Sequence, residues 1–270
     1  PHRGPAAAPP LVGEELNFAC ARCDRPCYDK LLRTDVPDNQ FVVAVDKRTG
    51  MVRWKSPRDG QHAYSTPTVL DVGGRTQVVS AGGGRVVSYD PETGNENWFC
   101  RYNGYSVVPR PVFARGLVFV CTGFDDPALL AIRPDGRGDV TETHVEWTLL
   151  QGVPLTPSPL VIENELYLIS DAGVRTCLDA QSGRRHWRQR LPGKYSASPL
   201  FADGRVYVQA ETGVTHVLAP GTSYKKIATN RLPGETLASM AVSGRALYVR
   251  NEHALYRIEE PDTDRQDAER

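Results

Sequence analysis

The stretch Val42-Val43-Ala44-Val45-Asp46-Lys47-Arg48-Thr49-Gly50, with Trp54 four residues on, decides the fold because it recurs. It returns as Val86-Val87-Ser88-Tyr89-Asp90-Pro91-Glu92-Thr93-Gly94 with Trp98, and as Arg175-Thr176-Cys177-Leu178-Asp179-Ala180-Gln181-Ser182-Gly183 with Trp187. In each copy Asp precedes Gly by four residues and Gly precedes Trp by four. A looser copy, Leu129-Leu130-Ala131-Ile132-Arg133-Pro134-Asp135-Gly136, reaches Trp147 through a longer hairpin. The pattern has a mechanism. An apolar strand ends at Asp, whose carboxylate can accept from backbone amides two or three residues on. Gly supplies the positive φ of a bulged hairpin. A large indole at a fixed offset is expected to pack between neighbouring units.

Working outward, a second marker precedes each unit. It reads Ser65-Thr66-Pro67, Pro109-Arg110-Pro111, Pro157-Ser158-Pro159, Ala197-Ser198-Pro199 and Ala238-Ser239-Met240, the last with Met in the proline place. These markers stand 40 to 48 residues apart. Between marker and Asp lies another strand signal, such as Leu117-Val118-Phe119-Val120 or Arg205-Val206-Tyr207-Val208. Four strands in about 40 to 45 residues is the size of one propeller blade. The chain is therefore expected to be all-β, a β-propeller of four-stranded blades with about six repeats over residues 9–260. An insertion is expected at 20–40, with residues 1–8 and the polar tail 261–270 disordered.

Of the 270 residues, 32 are Lys or Arg and 32 are Asp or Glu, so the net charge is zero. That balance argues against a broad basic face for nucleic acid or a polybasic patch for anionic lipid. No run of about 18 apolar residues is present, so no transmembrane helix is expected. The chain opens at Pro1 with no leader visible.

The pattern Ala44 to Trp54, relaxed at Ser88 to Trp98 and Cys177 to Trp187, resembles the tryptophan-docking repeat of quinoprotein propellers. It is more similar still to PQQ-binding-like repeat proteins of the kind of the outer-membrane assembly scaffold BamB. The structural set carrying this resemblance is Asp46, Gly50, Trp54, Asp90, Gly94, Trp98, Trp147, Asp179, Gly183 and Trp187. The resemblance implies an eight-bladed ring, of which six repeats would be an incomplete part. It also implies a periplasmic or exported location and a non-catalytic role in binding a protein or peptide. The alternative it implies is a dehydrogenase oxidising alcohols or sugars with PQQ and Ca²⁺. The adjacent cysteine pair common to such enzymes does not occur here, and no Glu/Asn/Asp calcium set can be matched. No cofactor is therefore expected.

Other chemistry is thinly signalled. Cys20, Cys23 and Cys27 could offer thiolates to Zn²⁺, but the sequence supplies neither a second cysteine pair nor a nearby His. Asp125-Asp126 and Asp135 to Asp139 read as polar hairpins rather than Ca²⁺ loops, and Arg137-Gly138-Asp139 is a three-residue adhesion match of little weight. No Gly-x-Ser-x-Gly elbow or phosphate loop is present, and Gly82-Gly83-Gly84 reads as a hairpin. The residues beside the markers remain. Tyr64, Tyr105, Arg110 and Tyr195 stand where chains enter the innermost strands, and aromatics with Arg are what binding surfaces favour.

Overall fold

The structure is a computed structural model that describes residues 17–22, 40–46 and 48–260. The expected disordered ends and most of the 20–40 insertion, with Cys23 and Cys27, lie outside the described residues. The described residues form strands and turns only, so no helix among them is long and apolar enough to cross a membrane.

Six sheets, each built on an antiparallel meander, follow one another. The first holds β1 (Asn17–Arg22), β2 (Gln40–Val45) and β3 (Val52–Arg58). The second holds β4 (Thr68–Val72), β5 (Arg75–Ala81), β6 (Arg85–Tyr89) and β7 (Glu96–Arg101). The third holds β8 (Val112–Ala114), β9 (Leu117–Cys121) and β10 (Leu129–Ile132), then, past the two-residue β11 (Gly138–Asp139), β12 (Val145–Leu149). The fourth holds β13 (Leu160–Ile162), β14 (Glu165–Ile169), β15 (Val174–Asp179) and β16 (Arg185–Arg190). The fifth holds β17 (Leu200–Ala202), β18 (Arg205–Gln209), β19 (Val214–Ala219) and β20 (Lys225–Arg231). The sixth holds β21 (Ala241–Ser243), β22 (Ala246–Arg250) and β23 (Leu255–Ile258). Each is a meander in chain order, the blade of a β-propeller. β1 runs through Cys20 to Arg22, three residues into the stretch read from sequence as an insertion.

The chain divides into two compact units. One is Pro1–Leu155 with the turn Gln181–Gly183; the other is Thr156–Ala180 with Arg184–Arg270. In the first, Val42, Ala44 and Trp54 of blade 1 bury against Val78, Val87 and Tyr89 of blade 2. Val79, Val86 and Trp98 of blade 2 bury with Val118, Val120 and Ile132 of blade 3. In the second, Tyr167, Ile169 and Cys177 of blade 4 pack with Val206, Val208 and Leu218 of blade 5.

The repeated turn is built as its residues require. Asp46 accepts from Arg48 N and Thr49 N, both at 3.0 Å, and Asp90 accepts from Glu92 N and Thr93 N, both at 2.9 Å. Gly50 and Gly94 follow at φ 71° and 74°. Each outer strand then enters its ladder across a bulge. The register shifts directly after the residue that faces the tryptophan: Ala44 opposite Trp54, Ser88 opposite Trp98, Ala131 opposite Trp147 and Cys177 opposite Trp187. The bulge turns the indole toward the next turn along. Trp54 Nε1 donates to Pro91 O at 2.7 Å, and Trp187 Nε1 donates to Gly221 O at 3.1 Å. A Cβ on Gly94 would lie 2.5 Å from the Trp54 ring, and one on Gly183 would lie 2.6 Å from that of Trp147.

Trp98 departs from this. Its Nε1 donates within its own blade to Gln77 Oε1 at 2.9 Å, and Gln77 Nε2 donates onward to Pro134 O at 3.0 Å. The turn it would meet is the long excursion from Pro134 to His144. Part of that excursion, β11, pairs in parallel along the outer edge of β7.

Candidate functional site

In an antiparallel meander the second-to-third-strand loop shares an end with the chain leaving the fourth strand. At that end of the first unit, two crossing segments and two loops are stitched together by main-chain bonds. Tyr64 N donates to Val107 O at 2.7 Å and Ser106 N to His62 O at 2.8 Å. Phe124 N donates to Tyr105 O at 2.7 Å, Gly83 N to Gln61 O at 3.2 Å and Gly84 N to Gly104 O at 2.9 Å. Such close approach is possible only without side chains at the crossings. A Cβ on Gly104 (φ 122°) would lie 2.4 Å from Thr122 O, and one on Gly123 (φ 86°) would lie 2.3 Å from Tyr105 O.

This lattice holds four rings in a row. His62 lies 5.9 Å from Tyr64 and 5.6 Å from Tyr105 between centroids, and Tyr105 lies 5.8 Å from Phe124. The last two pairs meet edge to face, the geometry aromatic quadrupoles favour. Tyr64 is 42% exposed and Phe124 54%, so the row presents large rings to solvent on a fixed backbone.

Of the residues singled out in the sequence, Tyr64 and Tyr105 thus come together, joined by His62 between them. Arg110 is exposed farther along the same entering segment. Tyr195 is a correction. It is fully buried in the core of the second unit, with its hydroxyl donating to Pro192 O at 3.2 Å and burial pushing its phenol pKa up. It stands four residues before its marker proline, the place of Val107 and Ala63. In an extended segment that place points inward, whereas Tyr64 is one residue nearer its proline and points out. His62 and Phe124 were missed in the sequence. The signal for Phe124 was the Gly123-Phe124-Asp125-Asp126 loop, where a large apolar residue sits among turn formers.

The equivalent loops of the second unit carry polar groups instead. Ser196 Oγ donates to Glu211 Oε1 at 2.6 Å, and Glu235 N donates to Glu252 Oε1 at 3.0 Å.

The remaining candidates resolve as turn chemistry. Asp139 accepts from Thr141 Oγ1 at 2.5 Å and Arg101 Nε at 3.3 Å, contacts that hold its carboxyl below the usual range. The Arg137-Gly138-Asp139 tripeptide is therefore locked into β11 and its turn. Thr143 Oγ1 lies 2.7 Å from His144 Nδ1, and His144 Nε2 lies 3.6 Å from Asp135. The second distance is too long for the hydrogen bond that would orient a catalytic base. Among the described residues no group of three or more His, Cys, Asp or Glu is placed to hold a metal.

Comparison with known proteins agrees with the architecture. BamB from Moraxella catarrhalis superposes with a TM-score of 0.59 at 17% identity, over 78% of this chain and 64% of BamB. Quinohemoprotein alcohol dehydrogenase from Comamonas testosteroni gives 0.58 at 15% identity, over 84% of this chain and 43% of the enzyme. The Swd1 β-propeller domain of Myceliophteria thermophila gives 0.53 at 14% identity, over 82% and 77%. This chain thus spans less than two thirds of the first two. No curated protein matches it in sequence. The model of one family, described as outer membrane protein assembly factor BamB, matches residues 38–161 and 143–223, and these two stretches together take in well over half of the chain. With its repeated turns, its bulged tryptophan strands and that match in agreement, the chain belongs to the BamB family of outer membrane protein assembly factors.

Proposed function

We propose that this protein is a non-catalytic scaffold that engages a protein or peptide partner through the ring row His62, Tyr64, Tyr105 and Phe124. One observation carries the reading: large rings stand exposed on a backbone held by crossing main-chain bonds and close glycine contacts. Rigid aromatics present contact area at low entropic cost, and interface energy concentrates in such residues. Family membership supports a role in outer membrane protein assembly, in an exported compartment.

The test is photo-crosslinking from position 64 or 124 in cells of the native host. A defined adduct from these positions, lost in the Tyr105→Ala variant and not formed from Ile227, is the expected result. Equal labelling from all three positions would overturn the assignment. Thermal-shift titration with PQQ and Ca²⁺ tests the quinone alternative on the same protein. A saturable, calcium-dependent rise in Tm would replace the scaffold reading.

A further inference from the structure

The balanced net charge averages over unlike outer edges. In the first unit several cations on or near the outer strands β7 and β12 meet carboxylates. Arg85 meets Glu96 of β7 at 2.9 Å, Arg101 of β7 meets Asp139 at 3.3 Å, and Arg133 bonds Glu146 of β12. In the second unit two neighbouring outer strands carry cations of their own and no carboxylate. β16 reads Arg185-His186-Trp187-Arg188-Gln189-Arg190 and β20 reads Lys225-Lys226-Ile227-Ala228-Thr229-Asn230-Arg231, with no carboxylate on either strand. All six Lys and Arg side chains are exposed. The two strands are held in one rim by Trp187, which leaves β16 to bond Gly221 O and to meet Tyr224 edge to face at 5.3 Å, just before β20 begins.

We propose that this rim docks on a bilayer surface bearing anionic headgroups. Keeping edge strands from aggregating calls for charge but not for one sign, and β7 and β12 show the paired solution. A single-sign row suits a planar polyanion instead, each cation near such a surface contributing about fivefold in affinity. Ile227 adds the second element. It stands 49% exposed directly after Lys225 and Lys226, an apolar side chain able to enter the headgroup boundary between charges. The rings of the two strands, His186 and Trp187, are both half-buried, Trp187 against Tyr224, which leaves no open aromatic platform there for stacking bases.

The experiment is co-sedimentation of the full chain with vesicles of phosphatidylcholine, with and without phosphatidylglycerol. The expected result is binding that requires phosphatidylglycerol and weakens steeply with salt. The triple variant K225E/K226E/R231E should lose on the order of a hundredfold in affinity. The exposed-charge control Arg75→Glu in the first unit should not. I227S should weaken binding and leave the salt slope unchanged. A cooperative melt shows that each variant is folded. No binding to anionic vesicles, undiminished binding by the triple variant, or tighter binding to single-stranded DNA at equal phosphate would overturn the proposal.

Discussion

Gln77 stands between Trp98 and Pro134, accepting from the indole at 2.9 Å and donating to the carbonyl at 3.0 Å. It completes through an amide the bond that Trp54 makes directly to Pro91. Ser88 Oγ also donates to Gln77 Oε1, at 2.7 Å, and the side chain is 1% exposed. Replacing Gln77 with Leu keeps the apolar packing but strands an indole N–H and a carbonyl in the core. Leaving buried polar groups unmet costs about 1–3 kcal/mol each. We expect Q77L to lose about 2–5 kcal/mol in urea unfolding, with unchanged m. A loss under about 0.5 kcal/mol, the scatter of ordinary surface changes, would show that the relay is dispensable.

Gly94 and Gly116 have nearly the same backbone, at φ 74° and 78°, but different surroundings. A Cβ on Gly94 would meet the Trp54 ring at 2.5 Å, whereas one on Gly116 would meet nothing within 4 Å. Gly116→Ala should therefore cost only the left-handed backbone term, about 1–2 kcal/mol. Gly94→Ala adds the displacement of a buried indole, about 1–3 kcal/mol more. Equal losses in thermal unfolding would mean that the indole moves aside freely.

Arg175 occupies an apolar slot. Two residues before the one facing each tryptophan stand Val42, Val86, Leu129 and Arg175, none more than 1% exposed. The guanidinium lies 5.0 Å from the Tyr224 ring and donates from Nη2 to its hydroxyl at 2.7 Å, while Nε and Nη1 have no acceptor among the described residues. Exchanging poorly compensated buried charge for packed apolar atoms is often stabilising, by about 1–4 kcal/mol. Arg175→Leu is expected to raise Tm without altering the fold. A fall in Tm would show that the guanidinium is fully compensated in solution.

The turn carboxylates make stability depend on acid. Asp46 is held far below the usual carboxylate range, chiefly by the Arg53 guanidinium and then by the Thr49 amide; Asp90 is held low chiefly by the Thr93 amide. Because both pKa values lie lower in the folded chain, the unfolded chain binds more protons in acid. Their contribution is complete above about pH 4, near the unfolded value, and fades as pH falls through the folded values. Asp90→Asn should lower Tm at neutral pH and flatten its fall between about pH 4 and 2. An identical acid slope in the variant would assign the effect to other groups.

How much of this was legible follows from which forces act locally. The turns at Asp46 and Asp90 were readable because the bonds that shape them span two or three residues. The rings of Tyr64 and Tyr105 were readable as neighbours of the markers. That Phe124 joins them depends on a main-chain bridge to Tyr105 from another loop, which leaves no mark in spacing. Tyr195 misled because one residue of offset in an extended segment exchanges inside for outside. Gln77 read as one more polar residue in a strand, since its role depends on a turn 57 positions away. The basic rim was present in the letters of β16 and β20, but composition averaged it away.

The short parallel strand at Gly138–Asp139 has a consequence of another kind. A bare outermost strand is a template on which further chains can add and from which fibres grow. By occupying the ladder positions of Trp98 and Phe99, β11 leaves no such starting place along that part of blade 2. A change that releases β11, such as removing the Arg101–Asp139 pair that ties it down, would therefore show first in the lag time of aggregation rather than in the melting temperature.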